Sequence, residues 1–351
     1  MSNFTFLTEE QYLGSDKLEI LEKRGTKAAI TDFSILLGAY VSNNIHIEND
    51  NSLEGRTGYY WTKSYNGRND ARVVTAAGSG DYDPVNGRNG GARPALPFSS
   101  ISSIPTNGES GKRARDGILE VEYGYYPQKA VSKDMQERLE RAYRSGSISK
   151  TRNSYTTDSV AYDECDTSFQ PQTHQEYEYN GKRYVRVEAN SYYDGGDFTL
   201  SNGEQYRDGD DVWVEVLPVK WLVDEKSRMM ITEKLIFAGV QFNKERNYHT
   251  RDFDRTDIKT FMDRYLSRDL IQSRGIAEQT RTSSKTTKKN ENPYNLDFSE
   301  TSEADIIRGA IQSNVSIFLH GKPGCGKSDR VKQLDPDFIE LNLSHLDPEL
   351  L

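Results

Sequence analysis

The stretch Gly321-Lys322-Pro323-Gly324-Cys325-Gly326-Lys327-Ser328 constrains its own fold more tightly than any other part of the chain. It satisfies the pattern G-x-x-x-x-G-K-[ST], whose backbone must wrap closely around an anion. A Cβ at the glycines would block that approach or the positive φ it requires. Such a loop belongs between a strand and a helix N-terminus, and the flanks supply both. Val315-Ser316-Ile317-Phe318-Leu319-His320 is apolar and β-branched, as a buried parallel strand is. Ser328-Asp329-Arg330-Val331-Lys332-Gln333-Leu334 reads as a helix that stops before Asp335-Pro336, because proline disfavours helical geometry in the residue ahead of it. Loop N–H groups and the helix dipole then face the phosphates of a nucleoside triphosphate. Lys327 reaches the β- and γ-phosphates, and the Ser328 hydroxyl ligands Mg2+. Cys325 fills a variable position of the loop; beside a lysine at a helix N-terminus its thiol is expected to be alkylatable.

Around the loop lie the segment Glu303–Gln312, with Ile306, Ile307 and Ala310 on one helical face, and a second apolar run, Phe338-Ile339-Glu340-Leu341-Asn342-Leu343. Over Asn292 to Leu351 this part of the chain resembles the AAA+ ATPases of the MoxR-like type, specifically at the loop and more weakly after it. The resemblance implies ATP as the nucleotide and a homo-oligomeric ring for a full-length form. It also implies an acidic Walker B pair, a sensor and an arginine finger beyond the matched residues. Those parts supply most of the rate in phosphoryl transfer. ATP binding is therefore expected of this chain, hydrolysis is not, and no catalytic residue is assigned. A βαβ unit of this size, below about 70–80 residues, seldom stabilises itself. It is expected to be locally structured unless it packs on the rest of the chain or belongs to a longer protein.

The 351 residues suggest two or three domains. A net charge of −9 argues against non-specific nucleic-acid binding. Cys165 and Cys325, the two cysteines, give neither a disulfide framework nor a zinc spacing. No run approaches the length of a membrane span and the N-terminus has no apolar leader, so the expected setting is cytoplasmic, with no membrane partner. The histidines are scattered and form no H-x-x-x-H pair. Asp208, Asp210 and Asp211, with Asp194 and Asp197, lack the spacing of a calcium loop and read as solvated turns.

Composition divides the chain into residues 1–105, residues 116–272, a polar linker at 273–292, and the loop-bearing segment 293–351. The linker carries Thr280-Arg281-Thr282-Ser283-Ser284-Lys285 and cannot bury enough apolar area to order itself. In the first part a helix is expected over Thr31–Leu37, capped by Thr31 or Asp32 and stopped at Gly38. Strands are expected at residues 58–64, 71–74 and 92–98. In the second part Asp116–Tyr126 reads as a strand and Lys133–Tyr143 as a helix. Tyr177–Val187 folds back at Asn180-Gly181, Val212–Val223 pairs with Met229–Ile236, and Asp257–Leu270 is helical. The fold class is α+β with mostly antiparallel sheet, followed by a truncated α/β phosphate-loop segment.

Tyr60-Trp61-Thr62-Lys63-Ser64 followed by Gly90-Gly91-Ala92-Arg93-Pro94-Ala95-Leu96 is similar to one half of an uncharacterised bacterial domain family of the C-type-lectin-like, formylglycine-enzyme-like fold. Its other half is matched by three segments. They are a turn at Gly124-Tyr125-Tyr126-Pro127-Gln128, a strand at Val219-Lys220-Trp221-Leu222-Val223, and Met230-Ile231-Thr232-Glu233. The two halves occur in reversed order, so the parts either complete one fold or stand side by side. The resemblance implies a bacterial or phage protein with a ligand- or target-recognising surface on loops. Tyr60, Trp61, Tyr65, Arg68, Tyr82 and Arg88 are the candidates for it, having the composition of binding loops. Oxidase chemistry is not expected, because Cys165 stands alone. Two readings follow: a nucleotide-driven remodelling ATPase with a recognition region, or a non-catalytic binding protein with a vestigial phosphate loop.

Overall fold

Short capped elements open the chain. The structure, a computed structural model, describes residues 4–41, 56–67, 69–109, 111–161, 164, 167–192, 197–244 and 252–272. All belong to one compact unit, Met1–Ser283, of the two into which the chain divides. The linker, Cys165, Arg68 and the phosphate loop Gly321–Ser328 lie outside the described residues.

Thr8 forms a capping box with Gln11: the Thr8 hydroxyl accepts the Gln11 N–H at 3.1 Å and Gln11 Oε1 accepts the Thr8 N–H at 2.9 Å. Helix α1 (Glu9–Leu13) starts there, and α2 (Glu19–Arg24) ends at Gly25. After β1 (Ala29–Ile30) comes α3 (Asp32–Leu36), capped by the Thr31 hydroxyl as its sequence implies. Strands β2 (Tyr60–Asn66), β3 (Asp70–Val74) and β4 (Gly80–Pro84) form an antiparallel three-stranded meander, and β5 (Ala95–Pro97) follows.

The second part supplies the longer strands: β6 (Lys112–Arg113), β7 (Leu119–Ala130), β8 (Ser149–Asp158), β9 (Pro171–Tyr179) and β10 (Lys182–Glu188). Helix α4 (Lys133–Arg144) lies between β7 and β8. After the small hairpin β11 (Phe198–Thr199) and β12 (Gln205–Tyr206) come β13 (Asp211–Asp224), β14 (Met229–Thr232) and β15 (Lys234–Leu235). One helical rod closes the described chain. It runs as α5 (Asp257–Phe261), a π-turn over Met262–Leu266, and α6 (Ser267–Ile271).

The eight-stranded sheet is antiparallel throughout and is organised on β13. One edge of β13 carries β7; the other carries β10 at Asp211–Glu215 and β14 at Trp221–Asp224. Strand β5 from the first part adds to β14, and β1 pairs in parallel with β15. The two parts named from composition therefore share one sheet and one core. Phe4 stacks on Trp221 at 5.9 Å, and Phe6 meets Phe253 at 5.5 Å.

Gly124-Tyr125-Tyr126-Pro127-Gln128 is not a turn but the middle of β7. Gly124 has φ +74, and the register of β7 on β13 shifts beside it, which marks a bulge. Pro127 is tolerated because β6 covers only Leu119 and Glu120, leaving the edge beside Pro127 without a strand among the described residues.

Candidate functional site

Three of the six expected surface residues lie in the core. Neighbours on a strand point to opposite faces, yet Tyr60 and Trp61 are both fully buried because β2 is covered on both sides. Tyr60 packs edge-on against Tyr12 at 5.2 Å and donates its hydroxyl to Thr26 O at 2.5 Å; Trp61 lies 5.5 Å from Phe242. Arg88 is fully buried and ion-paired to Asp158. Tyr65 is half-buried against Phe242 at 5.3 Å, and Tyr82 is 55% exposed. Tyr65 stands opposite Ala71 and Tyr82 opposite Arg72, so they leave the meander on opposite faces. The five described residues of this set form no shared surface.

A broad concavity of about 610 Å3 lies instead beside α4. This helix buries Leu139 and Ala142 against a small second core containing Tyr177, Tyr184 and Trp213. Strand β13 runs past its last pair with β7, Val214 with Ala130, and there the Trp213 carbonyl accepts the Val131 N–H at 3.1 Å. The Gln136 carboxamide takes that edge as a strand would: its oxygen accepts the Trp213 N–H at 2.7 Å and its nitrogen donates to Trp213 O at 3.0 Å.

On the rim, Arg186 of β10 lies 5.2 Å over the Tyr143 ring and donates to Glu140 at 3.1 Å and Asp211 at 2.7 Å. Glu140 also accepts from Arg144 at 2.9 Å and from Trp213 Nε1 at 3.1 Å. Partial burial would raise the Glu140 carboxyl, but the hydrogen bonds from Arg186, Arg144 and Trp213 outweigh it and hold the group at about 2. A carboxylate held there stays ionised near neutrality. Arg141 and Glu137 line the groove with no ion pair between them or to other described residues.

A second, more enclosed pocket of about 230 Å3 sits where the π-turn meets Phe169 and the chain after β15. Two buried ionisable groups of β9 are tied into the fold. Glu176 accepts from Thr151 (2.9 Å), Asn153 (2.8 Å) and Tyr155 (2.7 Å), and His174 shares a 2.7 Å hydrogen bond with Thr157. Of the acidic residues considered for calcium, Asp194 lies outside the described residues; Asp208 accepts the Ser191 N–H, Asp210 accepts the Arg207 N–H, Asp197 pairs with Arg207 and Asp211 with Arg186. Among the described residues no group of three or more His, Cys, Asp or Glu is placed to hold a metal. No described helix is long and apolar enough to cross a membrane.

Neither concavity was visible to motif reasoning, because each gathers residues from segments far apart in sequence. No family model matches the chain, and neither a curated protein nor a solved structure matches it.

Proposed function

We propose that the chain is an ATP-binding protein. In this reading residues 293–351 are the opening part of a MoxR-like AAA+ module, and the unit of residues 1–283 is a lectin-like recognition module for a protein target or small ligand. The observation that carries it is the complete G-x-x-x-x-G-K-[ST] stretch Gly321–Ser328, set between an apolar β-branched run and a helical segment. ATP lies along the loop backbone, Lys327 contacts its terminal phosphates, and Ser328 completes the Mg2+ shell. The setting is cytoplasmic, in a bacterium or phage, and a full-length form works as a homo-oligomeric ring.

The described unit supports a recognition role in two ways. Its antiparallel sheet gives a stiff support for surface sites. On the rim of its main groove Glu140, Arg144, Arg186 and Asp211 are held in ion pairs, while Arg141 and Glu137 are left to meet a partner. Equilibrium binding of a fluorescent ATP analogue with Mg2+ tests the proposal. Wild type should saturate, and Lys327→Ala should bind at least tenfold more weakly. Equal binding by both, or none by either, overturns it.

The groove beside α4 favours a second reading, a non-catalytic binding module with a vestigial phosphate loop. That reading gains if nucleotide binding fails while Arg141→Ala or Glu137→Ala weakens capture of a partner.

A further inference from the structure

We propose that the pocket at the π-turn binds a small planar anion, an aromatic ring bearing a carboxylate. Its floor is aromatic: Phe169, Phe261 and Tyr265 meet pairwise with centroids 5.5 to 5.6 Å apart. Two cations border it, Lys244 and Arg264. The Lys244 ammonium donates to Ser168 Oγ at 2.7 Å, and the Arg264 guanidinium lies 5.4 Å from the Tyr265 ring centre. Neither has a carboxylate partner among the described residues. Other cations of the same helical rod do find one: Lys259 pairs with Asp263 at 2.5 Å and Arg268 with Asp269 at 2.6 Å. The one lining acid, Asp257, accepts the Lys244 backbone N–H at 2.7 Å, so the lining carries a net charge of about +1.

The backbone singles out the same place. A π-turn is rare and concentrates at functional sites. Here it carries Arg264 and Tyr265 to the pocket while Met262 and Leu266 stay fully buried. Pockets of about 300–1,000 Å3 enclose drug-sized ligands. A volume of about 230 Å3 suits one ring and one acidic substituent. The ring stacks on the aromatic floor, and its carboxylate takes charge-assisted hydrogen bonds from Arg264 and Lys244.

The inference rests on reading residues 1–283 as a recognition unit and is independent of nucleotide binding. Equilibrium dialysis of the full chain with radiolabelled benzoate tests it, with circular dichroism confirming that each variant is folded. Arg264→Leu and Lys244→Met change exposed side chains, and each should weaken benzoate binding at least fivefold. Lys327→Ala should leave it unchanged. Benzamide, which lacks the charge, and cyclohexanecarboxylate, which lacks the flat ring, should each compete at least fivefold more poorly than benzoate itself. Absence of saturable binding, indifference to both pocket variants, equal competition by either analogue, or loss of binding in Lys327→Ala would each overturn the assignment. The fluorescent-nucleotide experiment reads the phosphate loop separately, so failure of one site is distinguishable from failure of the other.

Discussion

Arg88 donates to Asp158 with both side chains fully excluded from solvent, and its other N–H groups reach Gly239 O at 3.2 Å and Thr167 O at 2.5 Å. Asp158 in turn accepts the N–H groups of Gln170 at 2.9 Å and Val160 at 3.2 Å. The pair pins both ends of the connection between β8 and β9. Removing one partner of a buried pair leaves an uncompensated charge, which costs about 3–5 kcal/mol. Arg88→Met should lower unfolding stability by that amount in urea titration, and Arg88→Met with Asp158→Leu should recover part of it. A surface role for Arg88 would predict almost no change.

His174 makes a second residue-scale prediction. Burial lowers its imidazole from 6.5 to about 4. Between those values the unfolded chain binds the proton and the native chain refuses it, so acidification destabilises the fold, by about 3 kcal/mol when complete. Asp83 acts in the opposite sense. Burial, with Asp70 and Asp81 nearby, raises it to about 6, so from about 6 down to 3.8 the native state binds the extra proton and gains stability. The two effects are separated by difference: the stability of wild type relative to His174→Gln should fall by about 3 kcal/mol from pH 7 to pH 4. Parallel curves would mean that the native imidazole is protonated throughout.

Glycines at the same dihedral do different jobs in different elements. Asn180 and Gly181 have φ +52 and +73 between β9 and β10, as a type I′ turn demands, and a Cβ on Gly181 would meet open space. Gly181→Ala should cost only the backbone term, about 1–2 kcal/mol. A Cβ on Gly124 would lie 2.4 Å from Leu270 Cδ2 and 2.6 Å from Leu270 O. Gly124→Ala must therefore displace α6 as well, and about 3 kcal/mol or more is expected from overpacking added to strain. Thermal melts of the two variants side by side check the ordering.

The hairpin at Asn180-Gly181 and the Thr31 cap were legible in sequence because each is decided by a few consecutive residues. Strand β8 was not. Its inward residues Asn153, Tyr155 and Thr157 are polar or amphipathic, and they face Glu176 and His174 of β9 through hydrogen bonds rather than apolar contact. A strand whose buried face is polar shows no hydrophobic alternation. The helical rod was legible in outline, but its wide turn was not. Ile258, Met262, Leu266 and Leu270 repeat every four residues, and at 3.6 residues per turn such a stripe drifts by about 40° per step. A π-turn over Met262–Leu266 takes up the drift and keeps all four buried. Tyr60, Trp61 and Arg88 misled for a related reason: an aromatic, arginine-bearing composition is common to binding loops and to strands covered on both faces.

At the scale of the whole molecule, the fold depends on contacts between segments about a hundred or more residues apart. Asp32 at the start of α3 accepts the Ala130 N–H at 2.8 Å from the end of β7 and the Ser201 N–H at 2.8 Å from the β11–β12 hairpin. Burial raises its carboxyl despite those hydrogen bonds, so the joint holds its charge at a cost that only the assembled fold offsets. Strands β1 and β5 have just two and three residues, and their partners β15 and β14 lie in the second part. Without them Phe4, Phe6, Phe33 and Leu36, all buried in the shared core, return to water at about 1.5–3 kcal/mol each. Neither residues 1–105 nor residues 116–272 should therefore fold alone, although each has the length of an ordinary domain. Residues 1–283 should unfold in one cooperative transition, with matching midpoints by far-ultraviolet circular dichroism and tryptophan fluorescence. The separate fragments should show no cooperative melt. A fragment 1–105 with its own sigmoidal transition, or two separated midpoints in residues 1–283, would mean that the shared sheet does not hold the two parts together.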